Sequence, residues 1–448
     1  MLSKIDNETV SRVGPGTPMG TLMRQYWLPA LLSSELPKPD SDPVRVVLLG
    51  EHLIAFRDST GQVGLIENHC PHRGASLFFG RNEEAGLRCV YHGWKFDLRG
   101  SCIDMPNEPA ESDFKHKVKA VAYPCIERNG LVWAYMGPRE TPPPVPDIEA
   151  NSLPEGEYAV SAIQRECNWL QGLEGDIDTS HFGFLHFGAA DPESAQPGTF
   201  QYYTLKDRAP RYQVVDTEFG SMYSAFRPAE PGTLYHRIGL FLFPFWTMIP
   251  TGVLGHQVLA RAWVPVDDEH TMFFSLTPKV RGVERAIQPG MELHANSSDW
   301  YGRFRMVSDI TNDYRIDRDW QRNGGDYTGI AGIHTQDQAV TETMGPIYDR
   351  TREHLASSDV MIIRTRRRLV QAAQALTQDG AVPPGVDQPE IYRQRSGGII
   401  LPDGTDWVAA TEDLRKAYVP HPDLDPALAG RLGGQQPPKP RAVEKGSD

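Results

Sequence analysis

Four residues between positions 70 and 92 are of the types that bind transition metals. Cys70-Pro71-His72 and Cys89-Val90-Tyr91-His92 each put one thiol and one imidazole in a short loop. A structural zinc site could use two cysteines and two histidines, but its like ligands usually come in pairs. Here each pair is mixed. That pattern suits a two-iron cluster in which one iron takes thiolates and the other imidazoles. Neutral imidazoles make such a cluster less negative, which raises its reduction potential into a range of about −150 to +300 mV.

A second set lies in "CNWLQGLEGDIDTSHFGFLHFG", which contains Asp178-x2-His181-x4-His186. On one ideal helix the two histidines would stand about 140° apart around the axis. They converge only if the helix is distorted between them, and Gly183 permits that. Asp178 precedes His181 by three positions, on the same helical face. A carboxylate there can bond the second nitrogen of a ligand imidazole and fix its tautomer. Polar residues at helix ends look the same, so this set alone leaves both readings open.

The rest of the chain must hold these two sets. It has 448 residues, 40% of them hydrophobic and 23% charged, which is ordinary globular composition and long enough for two or three domains. The formal net charge of −13 argues against nucleic acid as a partner. No apolar run approaches the roughly 18 residues of a membrane span. The start, "MLSKIDNETVSRVGPGTPMG", has no apolar signal core, so a cytoplasmic location is expected. Five cysteines, an odd number, do not read as a disulfide framework; Cys102, Cys125 and Cys167 read as small buried thiols.

Residues 17–35 read as a short helix and an apolar docking segment. From 43 the texture is strand-like with Gly/Asp/Ser turns, a small all-β unit closing near "LVWAYMG". The proline-dense "PRETPPPVPDIE" (138–149) reads as a stiff connector. Expected units are 1–148, 149–425 and a poorly ordered tail at 426–448. In the second unit, "YQVVDTEFGSMYSAFRP", "LYHRIGLFLFPFWTMIP" and "GHQVLARAWVPVDDEHTMFFSLTP" read as three long antiparallel strands. "SSDVMIIRTRRRLVQAAQALTQ" (357–378) reads as an amphipathic helix.

The C-x-H and C-x2-H pairs, followed by Arg73-Gly74 and Gly93-Trp94, resemble the Rieske [2Fe–2S] domain. That resemblance implies Cys70 and Cys89 on one iron and His72 and His92 on the other. The extra cysteines and membrane anchor of the respiratory-complex proteins are missing, and the chain runs far past the end of a Rieske ferredoxin. D-x2-H-x4-H in turn resembles the mononuclear iron motif of Rieske oxygenases, which use two histidines and one carboxylate. The resemblance implies His181 and His186 as ligands and Asp359, at the start of a C-terminal helix, as the third; Asp337 and Asp349 are alternatives. Read locally, Asp359 is also an ordinary helix-cap residue.

The likeness extends to the alpha-only oxygenases of the phthalate 4,5-dioxygenase type, through "RVGPGTPMGTLMRQYW", "CNWLQGLEGDIDTSHFGFLH" and "QDQAVTETMGPIYDRTREHLASSD". It implies an α+β chain, with a small all-β Rieske domain followed by a helix-grip catalytic domain of antiparallel sheet plus helices. It implies a [2Fe–2S] cluster, a mononuclear Fe(II), O2 and an aromatic substrate such as a phthalate- or benzoate-like carboxylate. Asp178 would bridge His181 to His92 of a neighbouring subunit, making a homo-oligomer, a trimer or stacked trimers. No G-x-G-x-x-G follows a strand, so a separate NAD(P)H-dependent flavin/iron–sulfur reductase is expected. Arg208, Arg211 and Arg237 are candidates to grip a carboxylate, and Phe182, Phe184, Phe243 and Trp246 to line an apolar pocket. An O- or N-dealkylating monooxygenase shares every metal ligand, and a Rieske electron carrier with a degenerate second domain is the remaining alternative.

Overall fold

The computed structural model describes residues 1–186, 188, 195–279, 290–324 and 326–418. The tail expected at 426–448 lies outside these. The chain opens with two short helices, Lys4–Ser11 and Pro18–Met23. Ser3 and Thr17 cap them, each side-chain oxygen accepting an N–H three residues on. Both helices pack against the helix Val360–Asp379 near the other end of the chain.

Three small antiparallel sheets follow. Trp27–Leu32 pairs with Leu131–Tyr135, which pairs with Cys125–Arg128. Val44–Leu48, Glu51–Arg57, Val63–Glu67 and Ala122–Tyr123 form the second. The third runs Arg81–Glu83, Gly86–Arg88, Lys95–Phe96 and Cys102–Asp104, and the two cysteine–histidine loops flank its first two strands. Ile54, Phe56, Leu87 and Phe96 pack with Cys70 and Cys89 in a separate small core.

The larger sheet has eight strands. The three long strands expected from the sequence are six, and all pair antiparallel. Arg211–Asp216 and Gly220–Pro228 are split by a turn at 217–219. Thr233–Leu242 and Trp246–Met248 are split at Phe243-Pro244, and Ala260–Pro265 and Thr271–Pro278 at the polar turn 266–270. The physical reason is length: a run of that size is closed into hairpins wherever proline, glycine or acidic residues favour a turn. The expected amphipathic helix is Val360–Asp379, preceded by one 3-10 turn and ended by Gly380 at φ 67°.

The helix Trp169–Ile177 leads into the D-x2-H-x4-H segment. Asn168 caps it, and Gly172 lets it press on the sheet: a Cβ there would fall 2.1 Å from the Trp263 ring. Glu174 on its buried side takes Arg350 and Arg366, and Arg366 also reaches Glu353. This buried ionic group ties the helix to Val360–Asp379.

A second ionic group makes stability depend on pH. His270 lies 2.9 Å from Asp267 and 3.3 Å from Glu166, and its ring packs on Tyr301. Burial disfavours its charge, but the two carboxylates outweigh that and raise it to about 9. Its stabilisation is therefore full below the unfolded value of 6.5 and lost as pH rises through about 9. Asp267, held near 2, acts only in strong acid. The urea midpoint is expected to fall between pH 6.5 and about 9, and His270→Gln to flatten that slope. An unchanged slope in the variant would remove His270 as its cause.

Candidate metal centres and active site

The two cysteine–histidine loops are built alike. In each, a glycine four residues after the cysteine closes the turn: Gly74 N–H to Cys70 O (2.9 Å) and Gly93 N–H to Cys89 O (3.0 Å). Both glycines have positive φ, 77° and 80°, which explains Arg-Gly after one pair and Gly-Trp after the other. Cys70 and Cys89 are buried, while the rings of His72 and His92 lie 4.3 Å apart near the surface. His72 stacks on Trp94. Burial, then neighbouring Cys89, push the Cys70 thiol up to about 12, so a thiolate there needs a cationic partner. Nδ1 of His72 is buried without a hydrogen-bond partner among the described residues. Two inward sulfurs and two outward imidazoles, one with an orphan nitrogen, fit a cluster with thiolates on one iron and imidazoles on the other.

The second set departs from one distorted helix. The helix stops at Ile177, and Asp178 is extended at φ −88°, ψ 106°. Asp178 Oδ1 accepts from Ser180 N–H (2.7 Å), and His181–Gly183 form a separate 3-10 turn. Leu185 N–H then bonds His181 O. This break brings the His181 and His186 rings to 5.1 Å. Asp178 Oδ2 lies 3.4 Å from His181 Nδ1, so His181 Nε2 points the other way.

The third member of the group at this point, and its carboxylate, is Asp337. Its Oδ1 lies 3.1 Å from His186 Nε2 and 3.6 Å from His181 Nε2. Among the described residues, these three form the group whose ligand atoms all lie within 4.8 Å of one another. Burial opposes a charge on Asp337, yet the neighbouring imidazoles hold its carboxyl well below the ordinary range. Such a site favours a cation. The expectation for Asp359 is corrected. Its carboxylate folds back on Ala356 N–H (2.7 Å) and caps its own turn, so the local role prevails. Asp349 is likewise engaged with Thr351.

The arginine candidates separate by strand register. Arg237 is buried, donates to Thr179 Oγ1 and to the Pro250 carbonyl, and lies 3.7 Å over the Phe200 ring. Arg211 is exposed and pairs with Phe226, on the face opposite Arg237. Arg208 is exposed beside Phe184. Phe182 lies near His186, whereas Phe243 and Trp246 belong to the main core.

Arg227 was not among the sequence candidates. It is 1% exposed and shares a sheet face with Tyr212, Tyr223 and Arg237. Its Nε donates to Asp207 O (2.7 Å), while Nη1 and Nη2 have no partner among the described residues. The hydroxyls of Tyr212 and Tyr223 are also buried without partners among the described residues. Burial, then the charge of Arg237, bring Arg227 down to about 10. Its only sequence signal is that of an arginine in a strand; the register puts it opposite Tyr235, two residues along the same face from Ala225, which stands opposite Arg237.

Two β-rich units, the cysteine–histidine loops and the His181–His186–Asp337 group define a Rieske-type oxygenase chain. Comparison with known proteins agrees. The Rieske [2Fe-2S] domain family matches residues 26–123, and the family described as LigXa C-terminal domain like matches 134–425. The oxygenase subunit of 3-chlorobenzoate-3,4-dioxygenase from Comamonas testosteroni is 49% identical, covering 92% of this chain and 99% of that one. The phthalate 4,5-dioxygenase oxygenase subunit of Pseudomonas putida is 38% identical, covering 94% and 96%. The solved structure of dicamba monooxygenase bound to dicamba shares the fold, with TM-score 0.55 at 18% identity over 80% of this chain and 99% of that one. The chain belongs to the Rieske non-heme iron oxygenase subunits. Its cofactors are a [2Fe–2S] cluster and a mononuclear iron, and a separate protein supplies its electrons. No helix among the described residues is long and apolar enough to cross a membrane.

Proposed function

We propose that this chain hydroxylates an aromatic carboxylate, with Cys70, His72, Cys89 and His92 holding the cluster and His181, His186 and Asp337 the mononuclear iron. The cluster supplies single electrons, and the iron supplies a centre with open positions for O2. A separate NAD(P)H-dependent reductase reduces the cluster. Asp178 joins His181 to His92 of a neighbouring copy in a ring-shaped homo-oligomer. Near-surface His72 and His92, with exposed Val90 and Tyr91 beside His92, support that contact.

One observation carries the substrate class: the unpartnered Nη1 and Nη2 of buried Arg227. A buried cation without an anion is costly, and two neighbouring ones more so. A substrate carboxylate would satisfy Arg227 bidentately, with Arg237 beside it and the Tyr212 and Tyr223 hydroxyls as further donors. Arg237, held against Thr179, places this cradle next to His181. Phe182 and Phe200 offer apolar surface for the ring.

The test is turnover of a substituted benzoate and its neutral amide by the holoenzyme with a reductase and labelled O2. The acid is expected to be favoured, and Arg227→Met to raise its KM by roughly 100-fold while leaving the amide little changed. A diol carrying both labelled atoms identifies a dioxygenase; one labelled atom and a released aldehyde, a dealkylating monooxygenase. Equal turnover of acid and amide, unaffected by Arg227→Met, would overturn the carboxylate reading.

A further inference from the structure

The two imidazoles of the mononuclear site are supported differently. Nδ1 of His181 faces the Asp178 carboxylate. Nδ1 of His186 instead meets the side-chain oxygen of Gln336 at 2.7 Å. Gln336 and His186 are 1% and 2% exposed, so water does not compete for this contact.

The orientation of the Gln336 amide follows from its other neighbours. Its nitrogen lies 3.2 and 3.1 Å from the two Asp326 oxygens and 2.8 Å from the Ile330 carbonyl. A carboxylate and a carbonyl can only accept, so the NH2 group must face them. The amide oxygen is then turned to His186, where it can only accept. His186 must carry its proton on Nδ1, leaving the Nε2 lone pair free on the side of Asp337, 3.1 Å away.

Asp326 is itself buried and fixed: one oxygen accepts from Thr328 N–H (2.9 Å) and Oγ1 (2.7 Å). Among the described residues no lysine or arginine pairs with it. Its charge is therefore held one group back from the imidazole, with a neutral amide between. A carboxylate directly on a ligand histidine makes the ligand more basic; an amide oxygen fixes the tautomer without placing a full negative charge there.

We propose that Gln336, held by Asp326, is the positioning residue that keeps His186 in the tautomer able to bind the mononuclear iron. The inference rests on His181, His186 and Asp337 being the iron site. In another tautomer His186 Nε2 would carry the proton and could not ligate.

The test compares iron retention of the holoenzyme under timed dialysis against a chelator, together with the electron paramagnetic resonance spectrum of the Fe(II)–nitrosyl adduct. Visible absorption of the cluster reports folding. Gln336→Leu is expected to weaken iron retention about 10–100-fold with the cluster intact. The double variant Gln336→Glu/Asp326→Asn exchanges amide and carboxylate, keeping the hydrogen bonds to His186 and to residue 326 while giving up the one to the Ile330 carbonyl. It is expected to hold iron within about threefold of the parent and to shift the nitrosyl spectrum. It also keeps the test decisive should the leucine variant fail to fold. Parent-like retention and spectrum in Gln336→Leu, or iron loss in the double variant, would overturn the inference. Asp337→Ala separates this from the site itself: if it loses iron while Gln336→Leu does not, only the positioning role fails. If it keeps iron, the site assignment fails.

Discussion

Asp337→Ala is expected to remove the mononuclear iron, leave the cluster's visible absorption intact and abolish turnover. The alanine leaves two imidazoles, 5.1 Å apart between ring centres, without the carboxylate that neutralises a divalent ion. Loss of affinity should exceed the roughly 100-fold that removal of an outer supporting partner can cost. Iron per chain, measured after chelator dialysis, should drop by one. Asp359→Ala is the informative control. Its carboxylate caps Ala356 N–H, so the variant should lose at most about 1 kcal/mol of stability and keep all its iron. Iron loss in Asp359→Ala but not in Asp337→Ala would reverse the assignment.

Asp178→Asn should keep both metals yet slow reoxidation of the reduced cluster by two orders of magnitude or more. Asparagine has the same shape, and its amide oxygen can still accept from Ser180 N–H, as Asp178 Oδ1 does at 2.7 Å. The group 3.4 Å from His181 Nδ1 then becomes an amide nitrogen, which repels a ring N–H rather than accepting from it. The connection proposed between the iron site and a neighbour's cluster is broken while the fold stays. Stopped-flow reoxidation of pre-reduced protein with substrate and O2 measures this directly. A rate equal to that of the parent would refute the bridge.

Part of this chemistry is written locally. Cys70, His72, Cys89 and His92 lie in two turns whose own glycines shape them, so spacing alone announces the cluster. Asp178, His181 and His186 are likewise neighbours in sequence. There the break after Ile177, rather than a bend at Gly183, does the converging, because Asp178 takes Ser180 N–H in place of a further helical turn.

Contacts between distant segments were not legible. Asp359 sits at the start of one helix and Asp337 in the middle of another, and nothing local tells which helix faces the histidines. The packing of Ile333–Glu342 against Trp169–Ile177 decides it. A similar ambiguity hid Arg227 and favoured Arg211, since one residue of register moves a side chain to the other face of a sheet. Gln336 had no signal beyond standing next to Asp337. Its role depends on Asp326 and His186, which meet it only in the folded chain. Residue type and short spacing therefore determined the kind of chemistry, because metal-binding turns close over a few residues. Which carboxylate completes the iron site, and which arginine awaits an anion, was decided by tertiary packing, because those partners approach from strands and helices far apart in sequence.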